Sequence, residues 1–543
     1  MKKTITMKQL LPWVVAAAAL SGAASVQAAA PGITGPTFNL TAQAASISQP
    51  DGQAVYSWGY GCTTPPNGTS NSFAPASITT TPFCNTMQIP GPTLVVTEGQ
   101  SVSVTLTNGL PAAAGNTSIL FPGFNVTTSC PVGATVLAPR QGLLTCEAVP
   151  GGKVTYTFTA GSPGTRAYYS GTQGDLQVEM GLYGAIIVLP NGAPTNGSCP
   201  AHNLAAGVAN GASQLTSGGE SDFRLSPTGA AYHLAQSCYD REYLFQFSEM
   251  DPNIHVQALA QVTACANTGA PVGCHLNVPT EPYHPAYFMI NGRSMPDDMD
   301  TNYAAQYPHQ PYNGNPHMHP GELTLLRIIG QGRWQHPFHE HGNHVRILAR
   351  DGNLITSAGN ASQLAGPLLF TTTTTPGLAM DGIFYWTGKG LNWDAYGHNP
   401  KSSDPIATLT CTPDANGYNT GNLQAINYYE WCQDHNKPLQ AAPFGDLPAG
   451  GPVTLPDPNL FTNGAWFGGS PYLGVDATVR AVGGTGTTPP SGTIANSPST
   501  EAGFAFMWHS HNEREITTNN IFPGGMMMMM LVDSREFVID ESN

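Results

Sequence analysis

His336-Pro337-Phe338-His339-Glu340-His341-Gly342-Asn343-His344 packs four imidazoles into nine residues, and Trp508-His509-Ser510-His511 forms a counterpart near the C-terminus. Residues two apart on a strand share a face, so His339/His341 and His509/His511 each read as a two-toothed clamp. Two such strands side by side would bring four ring nitrogens together. Imidazole-only sets suit Cu, Zn, Fe or Ni, whereas Mg and Ca take oxygen ligands. A single His-x-His is ordinarily surface or packing; two copies, each after a strand-like run, point to a metal site.

Working outward, residues 1–28 carry Lys2, Lys3 and Lys8, the apolar run Leu10 to Leu20 and a small-residue ending Val26-Gln27-Ala28. That is the order of a secretory signal peptide, and it predicts an exported chain, periplasmic or extracellular. No later stretch reaches the roughly 20 uninterrupted apolar residues of a membrane span. The remainder is too long for one core and predicts two or three domains. With 61 Gly and 47 Pro against 19 basic and 34 acidic residues, the chain is rich in turn formers and poor in helix formers, which favours an all-β fold. A net charge of −15 argues against nucleic acid as a partner.

Ten cysteines in an exported chain read as disulfides. Neighbour pairing in chain order would staple five loops, although spacing alone leaves the connectivity open. None lies near either histidine cluster, so no thiolate is at hand as a soft ligand.

After an irregular Gly/Pro/Ser-rich entry, Leu94-Val95-Val96, a turn at Glu98-Gly99-Gln100 and the alternation Val102, Val104, Leu106 predict a strand pair with one buried face. Val154, Tyr156 and Phe158, then Leu182 to Leu189 closed by Pro190-Asn191-Gly192, complete a first sandwich over about 36–195. Residues 196–237, rich in Gly, Ala and Ser, read as a linker. A second sandwich spans 238–543, its two histidine strands separated by a surface insertion over about 350–502 that includes Thr371–Thr375 and the aromatic-glycine patch Trp466-Phe467-Gly468-Gly469. Met526 to Met530 reads as a strand buried on both faces. His317-Met318-His319, flanked by Pro316 and Pro320, reads as an exposed loop.

With these pieces in order the chain resembles the multicopper oxidases, which are built of plastocyanin-like (cupredoxin) Greek-key sandwiches. The resemblance rests on Pro90-Gly91-Pro92, Asn116-Thr117-Ser118-Ile119, Gly164-Thr165 with Tyr168, Gly181-Leu182-Tyr183-Gly184, Asn291-Gly292, His336-Pro337-Phe338-His339-Glu340-His341-Gly342 and His509-Ser510-His511. It implies four histidine motifs, two from each end of the chain, and a blue copper held by His, Cys and His. Here the first domain's ligand places fall on Leu120, Pro122, Tyr169 and Gly171, the blue-copper cysteine place on Ser510 and its following histidine on or near Glu515. A serine hydroxyl cannot supply the copper–thiolate bond.

The expected site is therefore His339, His341, His509 and His511 with His336 nearby, holding one or two coppers, with Fe, Mn or Zn as the other candidates. Glu515, Glu513 and Glu340 are the candidate proton carriers. Glu340 also has a plainer reading, a solvent-facing residue between the two histidines. The expected partner is a small-molecule reductant or a metal ion, with room left for a homo-oligomer. Two other readings stay open. Gly503, His509, His511 and Glu515 have the spacing of a first cupin motif, which implies a mononuclear metal oxygenase; and a secreted, non-catalytic partner-binding protein would use the histidines structurally.

Overall fold

The computed structural model describes residues 30–66, 71–78, 83–130, 138–199, 222–268, 273–390, 396, 409–422, 425, 427–435, 469–473, 502–533 and 539. The signal segment, residues 200–221 of the linker and Trp466-Phe467-Gly468 lie outside them.

The first sandwich has two five-stranded sheets among the described residues. One contains β1 (Thr37–Ser48), β2 (Ala54–Cys62), β4 (Ser101–Asn108) and β5 (Lys153–Thr159); the other contains β3 (Leu94–Thr97), β6 (Gly164–Tyr169) and β7 (Tyr183–Leu189). The entry read as irregular is in fact the β1–β2 hairpin, turning at Gln49-Pro50-Asp51-Gly52, with Phe38, Leu40 and Ala42 alternating into the core. Small residues along β1 muted that alternation.

The continuous apolar run of β7 has a physical reason: its sheet is covered on both faces. Leu94, Val96, Ile186 and Val188 meet the opposing sheet, while Val95, Ala185 and Ile187 pack against Leu244, Ile329 and Ala379 of the second sandwich.

Among the described residues the second sandwich pairs an eight-stranded and a six-stranded sheet. In the first lie β8 (Cys238–Met250), β9 (Leu323–Gly330), β11 (Val345–Arg350) and β13 (Ala379–Tyr385); in the second lie β10 (His336–Glu340), β12 (Thr371–Thr374), β14 (Ala502–Ser510) and β15 (Met527–Asp533). Its core is aromatic and sulfur-rich, with Phe247, Phe338, Phe384, Phe506 and Trp508 among Met526, Met528 and Met530. Met527 is buried as well, so the methionine run is covered on both sides as expected.

Four sequence readings need correction. The insertion does not begin at 350, because β12 pairs with β10 and β13 lies between β9 and β11, so the sandwich sheets continue to Tyr385. Thr371–Thr375 looked like a polar loop, yet β-branched residues are good strand formers and Thr372 and Thr374 are fully buried. The linker contains the strand Leu225–Ala230, which pairs with β8; Pro227 and Gly229 hid its period. His317 and Met318 pair in parallel with Leu531 and Val532, and all three residues of His317–His319 are buried.

An unforeseen helix, α1 (Pro252–Asn267), follows β8. Its signal is present in the chain: Asp251 caps the backbone N–H of Asn253 and Pro252 occupies the first turn. The five disulfides join neighbours in chain order, Cys62–Cys84, Cys130–Cys146, Cys199–Cys238, Cys265–Cys274 and Cys411–Cys432, leaving no free cysteine. Among the described residues no helix is long and apolar enough to cross a membrane.

Candidate metal centre

β10 and β14 lie side by side and antiparallel, with Phe338 opposite Ser510, His339 opposite His509 and Glu340 opposite Trp508. Alternation then sorts the side chains. Phe338, Trp508 and Ser510 face the core, and His339, His341, His509 and His511 share the other face. The rings gather there, with centroid separations of 4.7 Å for His339–His341, 5.1 Å for His341–His509 and His339–His511, and 5.5 Å for His509–His511. His339, His341 and His509 are buried, His511 is exposed, and Phe370 covers His339 edge-on at 5.8 Å.

The ring nitrogens are oriented from behind. His509 Nδ1 bonds the Ser510 carbonyl at 2.7 Å and His339 Nδ1 bonds Thr371 Oγ1 at 2.9 Å. Trp508 Nε1 donates to the His341 carbonyl at 2.9 Å, fixing the end of β10. With its Nδ1 proton so used, His509 carries its lone pair on Nε2, which lies 3.2 Å from His341 Nε2. A neutral His341 with its proton on Nε2 would donate to that lone pair, and a metal cation could take the proton's place. Nitrogens bound tetrahedrally to one ion at roughly 2.0–2.1 Å stand about 3.3 Å apart, so the spacing fits a metal. Burial lowers the basicity of both His339 and His509, with neighbouring imidazoles adding to it, and neutral rings are the metal-binding form.

The tetrad is a tight nitrogen pair with two flanking rings. Among the described residues the group of three whose ligand atoms all lie within 4.8 Å of one another is elsewhere, at Cys411, Glu430 and His435. That sulfur is bonded to Cys432, so the group is a hydrogen-bonded corner of the insertion.

The pleat excludes His336, which the sequence reading placed beside the metal. It points into the core, with Nδ1 2.9 Å from Glu515 and Nε2 2.9 Å from Glu249. Ser510 Oγ donates a short hydrogen bond to the same Glu515 oxygen, and Asn512 Nδ2 donates to the other at 2.9 Å. Burial alone would lower the His336 pKa, but the two carboxylates outweigh it and hold it at about 9. An imidazolium between carboxylates thus occupies the place the resemblance gives to blue copper. Glu249 was missed, although Tyr243, Phe245, Phe247 and Glu249 share one strand face and a carboxylate ending such a row signals a buried partner. It also accepts the backbone N–H groups of Arg333 and Trp334, at 2.6 and 2.8 Å. The turn before them needs Gly332, with φ of 65°, because a Cβ there would stand 2.4 Å from the Glu249 carboxylate.

The carboxylates divide likewise. Glu340 is buried, against its solvent-facing reading, because it shares the core face with Phe338. Burial raises its pKa to about 8, although Thr372 Oγ1 donates to it at 2.6 Å. Glu515 is buried with His336, and Glu513 is exposed with its charge felt at His509.

The places that the resemblance gives to the first domain's ligands are taken by Leu120, Pro122, Tyr169 and Gly171. Leu120 and Tyr169 form a backbone bridge, and a Cβ on Gly171 would meet the Leu120 side chain at 2.7 Å.

Residues 72–193 match the family model described as Multicopper oxidase. None of the curated proteins matches the chain. Among solved structures, the chain is similar to the multicopper oxidase mgLAC at 14% identity, with 93% of this chain and 87% of that one covered and a TM-score of 0.42. A blue copper oxidase from Nitrosomonas europaea aligns at 14% identity over 91% and 85%, with a TM-score of 0.40. A copper nitrite reductase from the same organism aligns at 17% identity over 65% and 85%, with a TM-score of 0.36.

Proposed function

We propose that this chain is an exported copper-binding oxidoreductase whose metal is held by His339, His341, His509 and His511, with a small-molecule reductant or a reduced metal ion as electron donor. The observation that carries the reading is the 3.2 Å approach of His341 Nε2 to His509 Nε2, on strands whose register sets the clamps opposite each other. Copper bound there would supply reversible one-electron chemistry. His511, exposed at the rim, leaves the site open to a diffusing donor, and Phe370, half exposed beside His339, bounds that opening.

A copper held by the four histidines would take electrons from the donor directly, because Ser510 offers no thiolate relay. The expected reaction is the two-electron reduction of dioxygen, with two protons, to hydrogen peroxide. Glu513 is the carboxylate suited to deliver the protons, since Glu340 and Glu515 face the core. The leader-like N-terminus and five disulfides support export, and the negative net charge disfavours nucleic acid.

The test is copper stoichiometry and electron paramagnetic resonance on wild type and the His339→Ala/His509→Ala double variant, with peroxide counted per dioxygen consumed. Tight copper lost in the variant, with one peroxide per dioxygen, supports the proposal. A wild type that retains no tight metal overturns it and favours a non-catalytic protein in which His341 and His509 share a proton.

A further inference from the structure

Where the first domain's imidazoles would stand, the two domains enclose a cavity of about 310 Å³, within the range of small-molecule sites. Leu120, Leu144 and Val178 on the first domain and Pro376 on the second give it an apolar lining, and no charged side chain takes part. Three polar residues take part in the lining, Tyr169 and Ser170 from the first domain and Gln331 from the second, and the Ser170 hydroxyl is already spent on Gln177 Oε1 at 2.6 Å. Gln331 is only 1% exposed and donates its amide protons to Gly184 O and Gln246 Oε1, both at 3.0 Å. Both donors being spent, what it has left to offer is a carbonyl oxygen. Leu144 lines the cavity yet is 65% exposed, and its neighbour Leu143 is 96% exposed, on a turn between the paired segments Arg140–Gln141 and Cys146–Glu147 that the Cys130–Cys146 disulfide anchors.

An apolar body with no countercharge selects against ions, because an unpaired charge would be desolvated there. A carbonyl oxygen at the wall of an apolar cavity favours a ligand with a donor, because covering it unmatched costs more than matching it. We infer that this interdomain cavity binds a small neutral molecule with a ring-sized apolar body and one hydrogen-bond donor, of the class of aromatic or alicyclic alcohols. The ligand bridges the domains, its ring between Leu120 and Pro376 and its hydroxyl donating to Gln331, and Leu143 and Leu144 fold over the ring as it enters. None of this depends on metal at the histidines.

Benzyl alcohol, toluene and benzoate separate the requirements, titrated into the full chain by calorimetry and saturation-transfer NMR in the presence of a chelator. Benzyl alcohol should bind with a millimolar constant, toluene about fivefold more weakly and benzoate not measurably. Leu120→Trp, which fills the space, should abolish binding. Leu144→Glu changes an exposed side chain and should weaken binding about fivefold with the fold intact, so it decides the matter if Leu120→Trp does not fold. No binding of benzyl alcohol, equal binding of benzoate, or wild-type affinity in Leu144→Glu overturns the inference.

Discussion

His339 stands directly opposite His509 in the antiparallel register of β10 and β14, and their rings meet edge to face 5.7 Å apart. The pair is set by backbone hydrogen bonding, so its geometry is as rigid as the sheet. What remains adjustable is ring rotation, and that is governed by the partners behind each ring.

Thr371 is the partner behind His339, 2.9 Å from Nδ1. Groups that orient a ligating imidazole typically account for 10–100-fold in metal affinity. Thr371→Val should therefore weaken copper binding about tenfold while the melting temperature of the metal-free protein stays within a few degrees. Competition against a chromophoric chelator measures it, and unchanged affinity would mean that the ring is held by the sheet alone.

The His336 imidazolium between Glu249 and Glu515 makes stability fall at high pH. Its folded pKa, about 9, lies above the ordinary 6.5, so the folded state holds the proton more tightly than the unfolded chain. The contribution is complete below about pH 6.5, shrinks as pH rises toward 9 and is gone above it; 2.5 pKa units correspond to about 3 kcal/mol. Urea midpoints taken across that window on wild type and His336→Ala should converge as pH increases. Parallel curves would place the stabilisation elsewhere.

Glu340 pulls stability the same way with pH, over a lower window. A carboxyl whose folded pKa is about 8 stays protonated while the unfolded chain, near 4.5, ionises. Stability attributable to this group therefore falls from about pH 4.5 to 8 and then levels off. Glu340→Gln removes the ionisation and should be more stable than wild type at pH 8 by about 1–3 kcal/mol, with a flatter profile below it. A variant less stable at every pH would show that the carboxyl's packing outweighs its proton.

Ser510, Glu515 and His336 already converge on one buried point. Replacing Ser510→Cys together with Glu515→His supplies the trigonal His2Cys set of a blue copper. With Cu(II) the double variant should show intense absorption in the visible red, and the wild type none. A colourless double variant that binds copper only at the tetrad would mean that Glu249 keeps His336 from the metal.

Much of this was legible in the chain. Alternation located several strands of the first domain, though not the β1–β2 hairpin, and two-residue spacing put His339, His341, His509 and His511 on one face, where the structure has them. The errors have a common physical source. Whether His336 and Glu340 point to the tetrad or to the core depends on which face Phe338 takes, and that is decided by Phe247 and Trp508 from distant strands. Likewise Thr372 and Thr374 looked exposed because polarity alone does not reveal that a strand is sandwiched between neighbours. The clustering of Leu120, Tyr169 and Gln331 around one cavity needed the domains to be docked before it existed.

Because neighbouring residues of β14 open onto opposite sides of the sheet, the tripeptide His509-Ser510-His511 carries two independent inheritances. A single replacement at 510 rewrites the chemistry of the interior without moving either flanking ring, and a replacement of a flanking ring leaves the interior charge cluster intact. Loss of one centre thus does not drag the other with it. A chain of this construction can hold a proton between carboxylates on one side of a strand and gather four imidazoles on the other.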